Sequence, residues 1–427
     1  MAIPKAGDIV AVKKGKERWE GRVLPGEGKF LSLKLKSGYN VGIEIDEKTK
    51  ITLLGKEEVV RHKPVGFSAG YEKGKPLVSI LSAGGTIASS IDYTTGAISA
   101  SYSAEDLISS VPEISKFANI RTGRIFEAMS ENLTPSDWQK IAGAVFREVS
   151  DPKVSGVVVT HGTDTLSFST AMMSFMLRNL NNPVVFTYSQ KSSDRGSTDS
   201  AMNLICSAIA ATTDVAEVMA VGHATINDDY CLMSRGCKVR KMHASQRNTF
   251  RPINCYPIGK VWPDGKVEFI GEYSKSKDAS GKPQLADRLE EKVAIVKFYP
   301  GLNPEVIDWY VEKGYLGLVI EGTGLGHVNV EKKSLIPAIE RAIEKGVLVC
   351  MTTQTIYGST NPYVYSNLRR LSERGVVYLK DMLTEAAYTK LMWVLGQTKD
   401  IRKAKEMMLE NIAGEFNPRL QPDMFLY

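Results

Sequence analysis

The first 60 residues alternate short β-type runs with glycine turns: Asp8–Val12, Trp19–Leu24, Phe30–Leu35, Val41–Ile45 and Lys50–Leu54. Pro25-Gly26-Glu27-Gly28 and Lys36-Ser37-Gly38 punctuate them. Five short strands without a helical period predict a small β-barrel over residues 1–72. A stretch rich in Gly, Ser and Lys, from His62 to Lys75, reads as a linker.

Beyond it the pattern changes. Leu77–Leu81, Gly156–Thr160, Pro183–Phe186 and Glu217–Val221 are β-branched apolar runs, with helix-like stretches at Thr134–Val149, Thr165–Asn179 and Thr198–Ala211. Thr134-Pro135 suits a helix start, a capping residue followed by proline. Alternating strands and helices predict a parallel sheet covered on both faces, over residues 73–275. The polar stretch Glu272–Arg288 reads as a second linker. After it, Ala294–Phe298, Glu305–Lys313, Leu316–Glu321, Glu331–Glu344, Val347–Met351 and Thr384–Leu395 predict a smaller α/β domain over 276–427. The fold class is α/β: two α/β domains preceded by a β-barrel.

Composition sharpens this picture in two respects. No apolar run approaches the roughly 20 residues that span a bilayer, and the start resembles no signal peptide, so a cytoplasmic protein without membrane contact is expected. Five scattered cysteines without a CxxC and five histidines without a ligand spacing point to neither a disulfide framework nor a metal site. The chain holds 54 Lys+Arg and 48 Asp+Glu; residues 1–75 take 16 and 10 of them, leaving 38 of each elsewhere. The whole positive excess therefore sits on the β-rich extension. It suits nucleic acid or an acidic partner, and equally a solvated lysine-rich face.

Three motifs carry candidate chemistry. Ser82-Ala83-Gly84-Gly85-Thr86 closes the first strand of the body, where open sheets bind ligands and glycines let backbone approach closely. Alone it is equally a plain turn or a phosphate loop. Thr160-His161-Gly162-Thr163-Asp164-Thr165 runs off the next strand into a helix, so Thr163 and Asp164 are candidate catalysts or simple caps. Lys238-Val239-Arg240-Lys241 would ordinarily be solvated; burial beside a threonine would make Lys241 a usable base.

Together and in this order, the motifs resemble the bacterial-type L-asparaginase and glutaminase family over roughly residues 77–427. The resemblance implies a body of two α/β domains, with sites usually completed across a homodimer. It implies Thr86, Thr163, Asp164 and Lys241 as the catalytic set and Ser130 in Met129-Ser130-Glu131-Asn132 as the contact to the substrate carboxylate. Glu131 falls at a further polar contact, and Gly85 and Gly162 border the substrate. Asp164 would hold the substrate ammonium. Either threonine is open as first nucleophile; Thr86 is the one assigned. The family's lid tyrosine has two counterparts in Ser89–Glu105, Tyr93 and Tyr102, of which Tyr93 fits better and packing is the alternative.

The basic extension has its own counterpart. With Lys34-Leu35-Lys36-Ser37-Gly38-Tyr39-Asn40-Val41-Gly42-Ile43 and Thr353-Gln354-Thr355-Ile356-Tyr357-Gly358, the chain resembles the GatD branch of archaeal glutamyl-tRNA(Gln) amidotransferases over its whole length. That resemblance implies a glutaminase that needs no cofactor of its own. A larger partner, GatE, would bind Glu-tRNA(Gln), use ATP and Mg²⁺ and receive ammonia, and a homodimer of this chain would lie within a heterotetramer. A free-standing cytoplasmic L-asparaginase and a catalytically inactive nucleic-acid-binding protein are the alternatives. The choice of glutamine over asparagine is not legible, because one methylene is worth only about 1–3 kcal/mol of pocket fit.

Overall fold

Alternation in the first five runs folds them into one antiparallel sheet, in the order Asn40–Glu44, Phe30–Leu35, Glu17–Val23, Asp8–Lys14, Thr49–Lys56. Every second residue turns inward, so Val10, Val12, Val23, Leu31, Leu33 and Ile43 share one core. Among the described residues the two edge strands do not pair with each other, and the expected barrel is open on that side. The other face carries the charge: Lys13 stands directly across from Arg18 on one side and Lys50 on the other. The computed structural model describes residues 4–425 apart from 25–28, 37–38, 57–70, 86, 88, 92–97, 101–107, 109, 194–196 and 277–281. Most of the first linker therefore lies outside the described residues.

The body is built on an eight-stranded sheet. Five parallel strands, Asn119–Arg124, Leu77–Ser82, Val154–Thr160, Val184–Thr187 and Val218–His223, lie side by side in that order. Three strands that the sequence pattern does not place, Cys231–Arg235, Gly259–Val261 and Val267–Phe269, extend it antiparallel. They are short and lack a clean period, so only pairing to a preformed edge fixes them. One helix, Pro135–Val149, begins as Thr134-Pro135 suggests, with the Asp137 carboxylate accepting the Thr134 N–H at 3.0 Å. Another, Leu166–Met176, ends earlier than expected, because Leu177 turns extended and Leu177–Arg178 pairs with Gln284–Leu285. The polar stretch after residue 272 is thereby pinned to the body, at Lys275 by a bridge to Val215 and again at Gln284.

The smaller sheet has four parallel strands, Val293–Lys297, Gly317–Gly322, Leu348–Thr353 and Val377–Tyr378. Helix Thr384–Gln397 packs on this sheet and on helix Leu166–Met176 at once, which is why nearly all of its residues are buried. One apolar core, from Trp138 through Phe175 to Leu391, consequently runs between the two sheets. No helix among the described residues is long and apolar enough to cross a membrane.

Candidate active site

The strands Leu77–Ser82 and Val154–Thr160 are in register with Ser82 beside Thr160, so both chain segments leave the sheet at the same level. There the backbone turns sharply. Gly84 and Gly85 both adopt φ +86°, a conformation that glycine takes at little cost. A Cβ on Gly85 would stand 2.4 Å from the Gly162 nitrogen, and one on Gly162 only 2.6 Å from Ser130 Oγ. Three backbone segments thus meet closer than any side chain allows. The Gly85 N–H donates to the Ala128 carbonyl at 3.2 Å, so this glycine contributes shape rather than a free donor. Thr165 fastens the third segment, its Oγ1 donating to the Ser130 carbonyl at 2.7 Å.

Lys241 closes the site from a strand far away in sequence. Its Nζ donates to Thr163 Oγ1 at 2.9 Å and to Asp164 Oδ1 at 2.8 Å. Thr163 is 7% exposed and Ser130 3%, whereas the Asp164 side chain is 63% exposed. A base beside a buried hydroxyl, next to a carboxylate open to solvent, is an arrangement suited to nucleophilic chemistry on a small polar substrate. Glu131 shares the turn of Ser130, but its side chain is exposed, and no described hydrogen bond joins it to Thr163 or Lys241. Thr86, Tyr93 and Tyr102 lie outside the described residues. Among the described residues no group of three acidic, histidine or cysteine side chains is placed to hold a metal, and all five cysteines are free and buried.

His161 belongs to the second motif but was given no role by its sequence context. Its Nδ1 lies 2.7 Å from the Gly162 carbonyl oxygen. A carbonyl only accepts, so Nδ1 carries the ring proton, and the deprotonated Nε2 is buried without a partner among the described residues. Burial pulls the imidazole down from 6.5 to about 4. Between these values the unfolded chain binds a proton that the folded chain does not, so stability falls as pH drops through that window. The expected loss is roughly 3 kcal/mol. Urea titrations of the wild type and His161→Asn from pH 7 to 4 check this: the variant should lose less stability, and equal acid slopes would remove His161 as the cause.

No motif marks Ser189–Asp199, yet this loop supports the first one. The buried Asp199 carboxylate gathers the Gln190 and Lys191 N–H groups, each at 3.0 Å, and the Ser189 hydroxyl at 2.8 Å. The loop then delivers Ser193 Oγ to the Ile87 carbonyl at 2.8 Å. Its Ser and Asp content was the available signal, since such residues bind their own local backbone.

Comparison with known proteins agrees with this architecture. Residues 77–275 match the family model "Asparaginase, N-terminal" and residues 292–408 "Glutaminase/Asparaginase C-terminal domain". The thermostable L-asparaginase from Thermococcus kodakarensis superposes with a TM-score of 0.73 at 31% identity, over 80% of this chain and 100% of that one. L-asparaginase I from Vibrio cholerae O1 biovar eltor gives 0.70 at 25% identity, over 80% and 99%. Fold and site thus define an enzyme with an asparaginase-type hydrolase body. The extension narrows the class, because residues 5–54 match "GatD N-terminal domain". The D-type subunit of glutamyl-tRNA(Gln) amidotransferase from Thermococcus kodakarensis is 49% identical over 98% of this chain and 96% of its own length. Its counterpart in Methanothermobacter thermautotrophicus is 47% identical over 97% and 94%. The chain belongs to the GatD family of glutamyl-tRNA(Gln) amidotransferases, and it is an amidotransferase.

Proposed function

We propose that this chain hydrolyses the side-chain amide of glutamine and supplies the ammonia for converting Glu-tRNA(Gln) to Gln-tRNA(Gln). The observation that carries the chemistry is Lys241 Nζ held between Thr163 Oγ1 and Asp164 Oδ1 beside the Gly85–Gly162–Ser130 contact. Thr86, which directly follows Gly85, is assigned as nucleophile. Its oxygen bonds to the amide carbon as its proton passes through Thr163 to Lys241. The C–N bond then breaks, and the leaving nitrogen takes that proton to depart as ammonia. Water repeats the sequence on the glutamyl ester and restores the threonine. Backbone N–H groups at Gly162–Thr163 serve the oxyanion.

A lysine paired with a carboxylate tends to stay protonated, which a base cannot afford. Substrate offers the remedy. Its α-ammonium takes the exposed Asp164 carboxylate while Ser130 takes the α-carboxylate, leaving Lys241 beside a second cation. Two like charges about 4 Å apart near a protein surface repel by about 4 kcal/mol, and this favours the neutral amine when glutamine is bound.

The partner reading rests on the name and extent of the relatives: GatE receives the ammonia, binds Glu-tRNA(Gln) and holds ATP and Mg²⁺, with a homodimer of this chain at the centre of a heterotetramer. The cations Lys13, Arg18 and Lys50, facing one another across three strands, support an anionic partner for the extension, since like charges so placed cost stability. The likeness to L-asparaginases supports a free-standing asparaginase as second reading. Glutamate release by the chain alone, with GatE, and with GatE plus Glu-tRNA(Gln) separates the two. Coupling between such sites is typically worth about 1–3 kcal/mol, so a rise of about 5–150-fold is expected in the full complex. Equal rates in all three would favour the free-standing enzyme.

A further inference from the structure

The strand that carries Lys241, Val239–Lys241, is three residues long and pairs only with Phe250–Pro252, outside the eight-stranded sheet. Something other than the sheet must fix its face and register. Along this stretch alternate residues point opposite ways. Val239 enters the main core and Lys241 reaches Thr163, while Lys238 and Arg240 turn toward the C-terminal half.

Both cations meet a carboxylate there. Lys238 is 0% exposed, and its Nζ pairs with Asp381 Oδ2. Asp381 also accepts the Asn417 N–H at 3.2 Å and its side-chain Nδ2 at 2.6 Å. Arg240 Nη1 meets Glu385 Oε1 at 2.7 Å; Glu385 is buried, and its other oxygen has no hydrogen-bond partner among the described residues. The two acids stand four residues apart at the start of helix Thr384–Gln397, matching cations two apart on an extended strand. Asn254 ties the same junction, bonding the Asp381 carbonyl and the Gly358 carbonyl through Nδ2 at 3.3 and 3.1 Å.

We infer that Asp381 and Glu385 are positioning residues for Lys241: from the C-terminal half they hold its strand in the one face and register that aim the amine at Thr163. A slip of one residue would turn Lys241 away altogether. The pairing also makes the site, whose other described residues all come from the N-terminal half of the body, depend on docking of the C-terminal half. This inference rests on Lys241 being the base.

The test uses the full chain with its partner and compares Asp381→Asn, Glu385→Gln, Arg240→Met, Arg240→Lys and Lys241→Ala for glutamine hydrolysis, with folded fraction measured for each. Asp381→Asn and Arg240→Met should lower kcat by about 10-fold or more per folded enzyme with KM within about two-fold, because Ser130 and Asp164 stay in place. Arg240→Lys, which keeps the pair with Glu385, should recover most of kcat, and Glu385→Gln should fall between. Should Asp381→Asn not fold, the Arg240 and Glu385 variants carry the test alone. A lowered melting temperature with unchanged kcat per folded enzyme would make these pairs structural only and overturn the inference. If Lys241→Ala itself keeps normal turnover, it is the catalytic reading that falls.

Discussion

Replacing Lys241 by alanine is expected to lower glutamine hydrolysis by about 10²–10⁴-fold, the range for a group that moves a proton in the transition state. The lysine touches both Thr163 and Asp164, so the substitution removes the base and releases the carboxylate in one step. Stability should change little, since the amine sits at the edge of the site beside an exposed aspartate rather than in a core. Thr163→Ala should produce a similar loss, and the double variant should be little worse than either single one, because residues acting as a unit are not additive. Steady-state kinetics on the three proteins, with circular dichroism to confirm folding, is the check. Independent losses that multiply in the double variant would break the relay into two separate roles.

Gly85→Ala is expected to be the most damaging single methyl in the molecule. Its φ of +86° disfavours any L side chain, and the new Cβ would lie 2.4 Å from the Gly162 nitrogen and 2.6 Å from its Cα. Backbone cannot rotate aside as a side chain does, so the second motif must shift. We expect roughly 2–4 kcal/mol of destabilisation and about a 10²-fold loss of turnover, since a displacement near 1 Å at a reacting centre has that effect. Gly301→Ala separates conformational strain from collision: its φ is +90°, but nothing lies within 4 Å of the added carbon. That control should lose only about 1 kcal/mol and no activity. Equal damage from both substitutions would mean that close approach of the two motifs is unimportant.

Much of this was legible in the chain itself. The β-branched runs ending at Leu81, Thr160 and Phe186 each became a central strand, because such side chains pack on a sheet buried on both faces and little else accommodates them. Gly-Gly and His-Gly-Thr-Asp announced a place where backbones approach closely, and the structure joins them at Gly85 and Gly162. In the extension, strict alternation fixed five strands and their inner face.

Other features required the third dimension. The antiparallel strands from Cys231 to Phe269 carry no period strong enough to select them, and they form by adding to an edge already present. Lys238 and Lys390 look like ordinary surface cations in the sequence, yet both are wholly buried, one on Asp381 and the other on Glu415. A lysine leaves water only where a carboxylate waits for it, and those partners lie 143 and 25 residues away. For the same reason Lys241 could be named from its motif but not placed. Seventy-eight residues separate it from Thr163, and local propensity does not act over that distance. Residue types and strand order were written in the sequence; the meeting of base and hydroxyl was decided by packing of the two halves around helix Thr384–Gln397.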